Sequence, residues 1–275
     1  MESPASLGES AVAEIERSRR RVKELECMVS DVVMETHDTA TLYLFTGNER
    51  LSYEPGHFIS IDPHQFDALE RWTAFLEDQK GRRETARAYS LASAPHEKYL
   101  AITVKEERYT SGATKYPPLL SPLLVRRTPR GTRMVVTGFA GPYILPPDIE
   151  ERTDHLVHVC AGSGFVPNFS IIKHAIENGM RLRHTVVCSN KTVGDVMFRA
   201  QLDELVRAHP DKLKVIHAIT RDPQAATHGP QYRTGRVTAQ MLRELVPDWS
   251  GVEVYTCGPG ITKWDRIAAK EKGEA

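Results

Sequence analysis

Two glycine-containing breaks, each at the end of an apolar strand, are the features best suited to chemistry. In HVCAGSGFVP (158–167), Gly162 and Gly164 flank Ser163, and Pro167 opens the following helix. Glycine lets the backbone approach a phosphate, and a helix N-terminus offers unpaired N–H groups and a partial positive charge. The turn is therefore suited to a pyrophosphate; the alternative is a tight strand–helix turn without a ligand. It is not the G-x-G-x-x-G pattern, because Pro167 occupies the last position.

The second break is VYTCGPG (254–260), in which Cys257 is followed by Gly258 and Pro259. A small thiol followed by glycine leaves room for a flat ring, although a buried strand cysteine would have the same sequence. Cys160 and Cys188 also lie at predicted strand ends. The cysteines lack C-x-x-C spacing, and such thiols are usually small core residues. We therefore expect no metal site.

A third candidate lies far upstream, where Arg87, Tyr89 and Ser90 occupy an extended segment. Strand alternation places Arg87 and Tyr89 on one face and Ser90 on the other. Arginine suits bidentate phosphate binding, tyrosine can lie flat against an aromatic ring, and a serine hydroxyl can donate to a ring nitrogen. The alternative is an edge strand that carries one surface arginine.

The elements that must position these residues change in character near residue 150. Residues 1–24 are predicted to be an N-terminal helix or tail, and residues 25–150 an antiparallel β-barrel or sandwich with a helical insertion near 64–85. In residues 151–275, strands and helices alternate, which predicts a doubly wound parallel sheet. The predicted strands are 41–45, 57–61, 99–104, 133–137, 156–160, 184–189, 214–219 and 252–257. The predicted helices are 67–85, 167–178 with Pro167 at its first position, one that begins near Asp195 as N-cap, and 238–246.

Composition and charge exclude several classes of protein. The chain has 275 residues with 36 basic and 36 acidic side chains, so the net charge indicates neither nucleic acid nor an anionic membrane as partner. No apolar run approaches the ~20 residues of a membrane helix, and the first residues lack the apolar segment of a secretory signal. The cysteine usage favours a reduced, cytoplasmic compartment.

The ordered set of motifs resembles the ferredoxin–NADP reductase superfamily, and is most similar to the reductase components of multicomponent oxygenases. The set comprises R-x-Y-S, a lysine-ended strand with G-x-x-G-x-Y, then G-x-G-x-x-P and C-G-P, within about residues 25 to 265. The resemblance implies that Arg87, Tyr89 and Ser90 contact the phosphate, ring and N5 of a flavin. It also implies that Lys105 and a helix start near Ser121 contribute to the flavin site, with the helix N–H groups at the pyrophosphate.

The resemblance implies a flavin-binding domain at 25–150 and an NAD(P)H-binding domain at 151–275, with FAD or FMN as the flavin. Hydride would pass from the nicotinamide, beside Cys257, to the flavin next to Ser90. In the loop Ser189-Asn190-Lys191, a lysine suits the 2′-phosphate of NADPH. A solvated lysine would leave NADH as the alternative, and Arg221 is a further nucleotide contact by resemblance.

The expected acceptor is a separate ferredoxin or oxygenase component, since the chain has no C-x₄-C-x₂-C run that could hold an iron–sulfur centre. A carrier other than ferredoxin is an alternative acceptor. So is a different role altogether, a nucleotide- or flavin-binding regulatory module without turnover. A monomer or homodimer is expected. The superfamily adds a further helix and strand after C-G-P, so the sequence is expected to be truncated at its C-terminus.

Overall fold

A computed structural model describes residues 24–48, 51–109, 111, 115–260 and 270. The predicted N-terminal helix or tail therefore lies, apart from Glu24, outside the described residues. The chain divides into two compact units after Pro146, and Phe169–His174 group with the first unit.

The first unit is built from one antiparallel sheet and two helices. Its elements are β1 (Leu25–Thr36), β2 (Thr39–Phe45), β3 (Phe58–Ile61), α1 (Glu70–Lys80), β4 (Arg87–Ser90), β5 (Leu100–Lys105), α2 (Ser121–Arg126) and β6 (Arg133–Ala140). The strand order is β4-β3-β6-β1-β2-β5. An antiparallel bridge between Leu91 and Ile102 joins the two ends of this order, and so closes the sheet into the predicted barrel.

The packing of the barrel interior explains why apolar and polar residues alternate along its strands. Leu42, Leu44, Ile59, Ile61 and Ile102 are at most 1% exposed and belong to one apolar cluster. Burial of side chains of this kind stabilises the fold by about 1.5–3 kcal/mol each. The interior of the barrel is thus a packed core.

The second unit is an α/β layer with a five-stranded parallel sheet. Its elements are α3 (Ile149–Arg152), β7 (His155–Ala161), α4 (Phe165–Glu177), β8 (Arg183–Asn190), α5 (Arg199–Ala208), β9 (Leu213–Ile219), β10 (Tyr232–Thr234), α6 (Ala239–Leu245) and β11 (Val252–Cys257). The order is β10-β9-β8-β7-β11, with every neighbouring pair parallel. The predicted fold class, a barrel followed by a doubly wound sheet, is confirmed.

Three local predictions were wrong. Asp195 does not cap a helix; its carboxylate accepts from the Thr192 amide at 2.9 Å within the 3₁₀ turn Val193–Asp195, and α5 begins only at Arg199. Helix α4 begins at Phe165, so Pro167 is its third residue, which still leaves the missing N–H in the first turn. The helix predicted over 67–85 is shorter, because Gly81 in a left-handed conformation ends α1.

Candidate functional site

The glycine turn and the Cys257 segment lie side by side at the carboxyl edge of the parallel sheet. From β7 the sheet grows through β8, β9 and β10 on one side, while β11 pairs with β7 on the other. Cys257 is in register with Cys160, one residue before β7 ends. Ligands of doubly wound sheets bind in the crevice at such a change of direction. The topology of the sheet therefore brings together the glycine turn and the Cys257 segment, which are far apart in the sequence of the second unit.

Gly162 is the residue that keeps the turn open to a ligand. Residues Gly162–Gly164 form a 3₁₀ turn that leads into the 13-residue helix α4. Gly162 has φ +50°, and a Cβ added there would meet no atom within 4 Å. The neighbouring Ser163 is exposed. This combination leaves the space that a phosphate needs above a helix N-terminus.

Gly164 lacks a side chain for a different reason. A Cβ at Gly164 would lie 2.2 Å from the carbonyl oxygen of Cys257 and 2.8 Å from the Cα of Gly258. Gly258 is itself close-packed, since its Cβ would lie 3.3 Å from that of Ala161. The sequence had suggested phosphate approach for both turn glycines. In the structure, Gly164 instead allows the two motifs to pack backbone to backbone.

Cys160 and Cys257, at this edge of the sheet, are neutral thiols. Cys160 and Cys188 are each 3% exposed, and burial raises the pKa of Cys160. Cys257 is half-buried, and burial raises its pKa as well. A thiol with a raised pKa is a weak nucleophile. Cys257, which precedes the exposed Gly258 and Pro259, is therefore suited to contact a ring rather than to attack it.

Two cationic side chains lie on neighbouring strand ends at the same edge. The Arg221 amide donates to the Lys191 carbonyl at 2.7 Å, which continues the parallel pairing of β8 and β9 into their loops. Lys191 and Arg221 are exposed, whereas Ser189 is half-buried at the end of β8. Their proximity creates a positive patch suited to a phosphate group.

In the first unit, Arg87 opens β4, which pairs with β3. Its Nη2 contacts Glu84 Oε2 at 2.5 Å, and its Nη1 donates to the hydroxyl of Thr85 at 3.0 Å and to the Thr85 carbonyl. Its Nε–H takes no part in these bonds. The guanidinium is thus held in one orientation, and within the described residues its Nε–H has no hydrogen-bond acceptor.

The loop between α1 and β4 supplies the groups that hold this arginine, Glu84 and Thr85. Glu84 is 3% exposed and also forms an ion pair with Lys80 in the last turn of α1. Its amide donates to Glu77 Oε1 at 2.7 Å, and the same oxygen contacts His64 Nε2 at 2.8 Å. Burial raises the pKa of Glu84, but the bonds from Lys80 and Arg87 outweigh it and lower the pKa. Sequence reasoning missed Glu84; its only signal was a carboxylate three residues before the arginine.

Tyr89 and Ser90 follow Arg87 on β4, and both are half-buried. Tyr89 packs against the barrel core, and burial raises its pKa, so its phenol stays neutral. The Ser90 hydroxyl makes no side-chain hydrogen bond within the part of the chain that the structure describes. A half-buried hydroxyl of this kind is available to a ligand.

Two other predicted residues are already engaged inside the first unit. Lys105 Nζ lies 3.1 Å from Asp38 Oδ1, at the end of β5. Ser121, 6% exposed at the start of α2, accepts a hydrogen bond from the Glu107 amide at 3.0 Å. Both side chains stabilise the strand end and the loop that follows it.

Known proteins resemble both units. The family described as "Oxidoreductase NAD-binding domain" matches residues 158–263. The ferredoxin reductase component of 3-ketosteroid-9-alpha-monooxygenase from Mycolicibacterium smegmatis is 31% identical over 244 residues, which are 86% of this chain and 58% of that protein. Ferredoxin-NADP+ reductase from Plasmodium falciparum superposes with a TM-score of 0.64 at 15% identity, over 92% of this chain and 91% of that one.

The chain is similar in sequence to a ferredoxin reductase component and has the fold of ferredoxin-NADP+ reductase.

A second solved structure shows the same fold. The cytochrome b5 reductase domain of Ulva prolifera nitrate reductase superposes with a TM-score of 0.68 at 18% identity, over 92% of this chain and 94% of that one. The chain spans about half the length of the curated relatives it matches. Among its described helices, none has the length and apolar character that a bilayer crossing requires.

Proposed function

We propose that this chain is an NAD(P)H-dependent flavin reductase that passes electrons to a one-electron acceptor. The observation that carries the proposal is the contact between the glycine turn and the Cys257 segment at the switch point of the parallel sheet. A site built there has an open phosphate-binding turn and, one strand away, a small neutral thiol beside an exposed glycine. Those are the parts needed to hold a dinucleotide with its nicotinamide next to Cys257.

In this proposal each part of the edge has a separate role. The pyrophosphate is bound by backbone N–H groups of Gly162, Ser163 and the N-terminus of α4. Pro167 has no N–H, but the first turn of a helix has no intrahelical acceptor for that N–H in any case. Cys257, Gly258 and Pro259 border the nicotinamide. Gly164 keeps the two regions in contact.

NADPH is the preferred nucleotide in this proposal. Lys191 and Arg221 are exposed and are joined through a backbone hydrogen bond of 2.7 Å, so two cations share one edge. A 2′-phosphate would interact favourably with both, whereas the 2′-hydroxyl of NADH would leave them to solvent. Ser189, half-buried beside them, can accept or donate one further hydrogen bond. NADH is the alternative if both cations remain solvated.

The residues of β4 fit a flavin. Arg87 is held by Glu84 and Thr85 with its Nε–H unused, and the Ser90 hydroxyl is unpaired within the described residues. We assign Arg87 to the flavin phosphate, Tyr89 to the face of the ring and Ser90 to a hydrogen bond with N5. When bound, the flavin would supply two-electron acceptance from the nucleotide and one-electron delivery to the acceptor.

Lys105 and Ser121 hold less direct roles than the family resemblance implies. Both already bond to barrel groups, so we assign them to shaping the flavin-binding loop. FAD is the proposed flavin by resemblance, and FMN is the alternative.

For the acceptor, we propose a ferredoxin or an oxygenase component. The support is the similarity to the M. smegmatis relative, which is a ferredoxin reductase component of a monooxygenase. The fold match to a cytochrome b5 reductase domain makes a haem carrier the second candidate. Both accept one electron at a time, so the two candidates require the same chemistry of this chain.

The direct test is the colour and turnover of the purified protein. We expect a yellow protein that NADPH bleaches under anaerobic conditions, that oxidises NADPH with ferricyanide, and that contains no iron or acid-labile sulfide. A protein that binds flavin and nucleotide but oxidises no NAD(P)H with ferricyanide, a quinone dye or a ferredoxin would instead be a regulatory module. Stoichiometric bound iron would refute our assignment of the strand-end cysteines.

A further inference from the structure

A chain of hydrogen bonds runs through the second unit from the centre of the sheet to the glycine turn. His184 Nδ1 on β8 lies 3.0 Å from His158 Nε2 on β7, and His158 Nδ1 lies 2.8 Å from Asn168 Oδ1 on α4. The Asn168 amide nitrogen then donates to the Gly164 carbonyl at 2.8 Å. We call these four groups the histidine relay.

The relay has one consistent direction of donors and acceptors. Because the Asn168 nitrogen donates to Gly164, its oxygen faces His158 and must accept, so His158 carries its proton on Nδ1. His158 Nε2 is then an acceptor, and His184 must donate from Nδ1. The remaining His184 Nε2 is an unprotonated nitrogen, and it has no hydrogen-bond partner within the part of the chain that the structure describes.

Burial keeps the relay in this state. His158 and Asn168 are fully buried and His184 is 2% exposed. Burial is the main cause that lowers the pKa of His158 to about 4, and it lowers that of His184 as well. Both imidazoles are therefore neutral at physiological pH, and a neutral imidazole has only one donor. Neither ring can change partner without leaving a buried polar atom unpaired.

We propose that His158 and Asn168 are positioning residues for the nucleotide site, acting through the Gly164 carbonyl. The inference rests on the proposed function, because it assumes that the glycine turn binds the pyrophosphate. A polar histidine in an otherwise apolar strand, LVHVC (156–160), has no packing advantage over leucine or valine. The histidine instead makes a hydrogen bond to Asn168, which neither leucine nor valine could make.

The effect on the site follows from the packing of Gly164. There is no room for a Cβ between Gly164 and the backbone of Cys257 and Gly258, so any movement of the Gly164 peptide reaches both the phosphate turn and the proposed nicotinamide border. The relay holds this peptide in place through the hydrogen bond that Asn168 donates to the Gly164 carbonyl oxygen. Loss of the relay should therefore loosen both parts of the nucleotide site and leave β4 unchanged.

His217 is a matched control in the same sheet. It lies on β9, is 4% exposed, and has a pKa lowered to about 4 by burial, like His158. Its ring stacks on that of Tyr232, with 5.2 Å between the ring centroids, and among the described residues its Nδ1 has no hydrogen-bond partner. It therefore has no bond to the turn. His217→Leu should cost stability without affecting the nucleotide site.

Three variants test the relay: His158→Leu, Asn168→Asp and His217→Leu. Asn168→Asp is the sharper change, because a carboxylate still accepts from His158 but cannot donate to the Gly164 carbonyl. The first measurement is amide hydrogen exchange of the peptide that contains residues 162–166, in protein without nucleotide. The second is the Kd for NADPH, with bound flavin as a control.

We expect faster exchange in the turn for His158→Leu and Asn168→Asp, with a rise in Kd of about fivefold, equivalent to one net hydrogen bond. His217→Leu should match wild type in both measurements. Unchanged exchange in the turn, or equal acceleration by His217→Leu, would overturn the inference. If wild type bound neither NADPH nor NADH, the proposed function would fail, and the exchange data would still decide whether the relay fixes the turn.

Discussion

Gly164→Ala should uncouple hydride transfer from flavin binding, because one added carbon displaces the end of β11. The new Cβ would lie 2.2 Å from the Cys257 oxygen and 2.5 Å from its carbonyl carbon. Both are backbone atoms, so no side-chain rotation relieves the contact, and the strand end must move by about 1 Å to restore ordinary packing. Overpacking of this kind costs about 1–3 kcal/mol. A displacement of that size beside a reacting group can lower a rate about 100-fold.

Gly162→Ala is the matched control. It carries the same added carbon in the same turn, but in open space, at the cost of about 1–2 kcal/mol for its left-handed φ. Anaerobic stopped-flow reduction by NADPH separates the variants. We expect Gly164→Ala to lower the limiting rate with normal flavin content, and Gly162→Ala to weaken nucleotide binding while the limiting rate holds. A wild-type limiting rate in Gly164→Ala would refute the packing argument.

Three further outcomes are expected. Arg87→Ala should give soluble protein with flavin affinity reduced about ten- to a hundredfold, the value of a charged hydrogen bond of roughly 1.5–3 kcal/mol. The control is Arg83→Ala, which removes an exposed arginine of the loop before β4. A comparison of the flavin content of the two variants decides this. Lys191→Glu should shift the ratio of kcat/KM from NADPH towards NADH by repelling the 2′-phosphate, and an unchanged ratio would leave Lys191 a surface charge. The free energy of unfolding should fall as pH drops from 6.5 towards 4, because His158 and His217 have folded pKa values of about 4, below the unfolded value. Each contributes about 3 kcal/mol of this loss, and denaturant titrations in which His217→Leu keeps the full pH dependence would contradict it.

The sequence predicted the strands whose patterns are simple. Strand β11 was predicted with its observed limits, 252–257, and β7 and β8 to within one residue at each end. The apolar runs of β7 and β8 are buried, and each run ends at small or polar residues. Strand β1 was missed because register shifts at Val29/Asp31 and Met34/Thr36 break its alternation. Strand β10 has only three residues, too few for any pattern.

The candidate site was predictable in its motifs but not in its supports. Glycine turns and the R-x-Y-S segment are local signals, and the topology of a parallel sheet brings the second-unit motifs to one edge. The ion pair of Arg87 with Glu84, and the bond of His158 to Asn168, depend on side-chain directions that spacing does not specify. Asp195 shows the opposite case: a good local capping residue satisfies its partner at a 3₁₀ turn, four residues before α5 begins.

The position of β11 also has a consequence for how the protein is made. Until residues 252–257 have left the ribosome, β7 is an edge strand with a row of unpaired backbone groups, although it was synthesised almost a hundred residues earlier. During that interval the nascent second unit has an exposed apolar edge, which is the kind of surface that chaperones cover and that promotes aggregation. The backbone that packs against Gly164 is therefore among the last parts of the described sheet to be translated, so a ribosome that stalls before Cys257 leaves a nascent chain whose glycine turn is still incomplete.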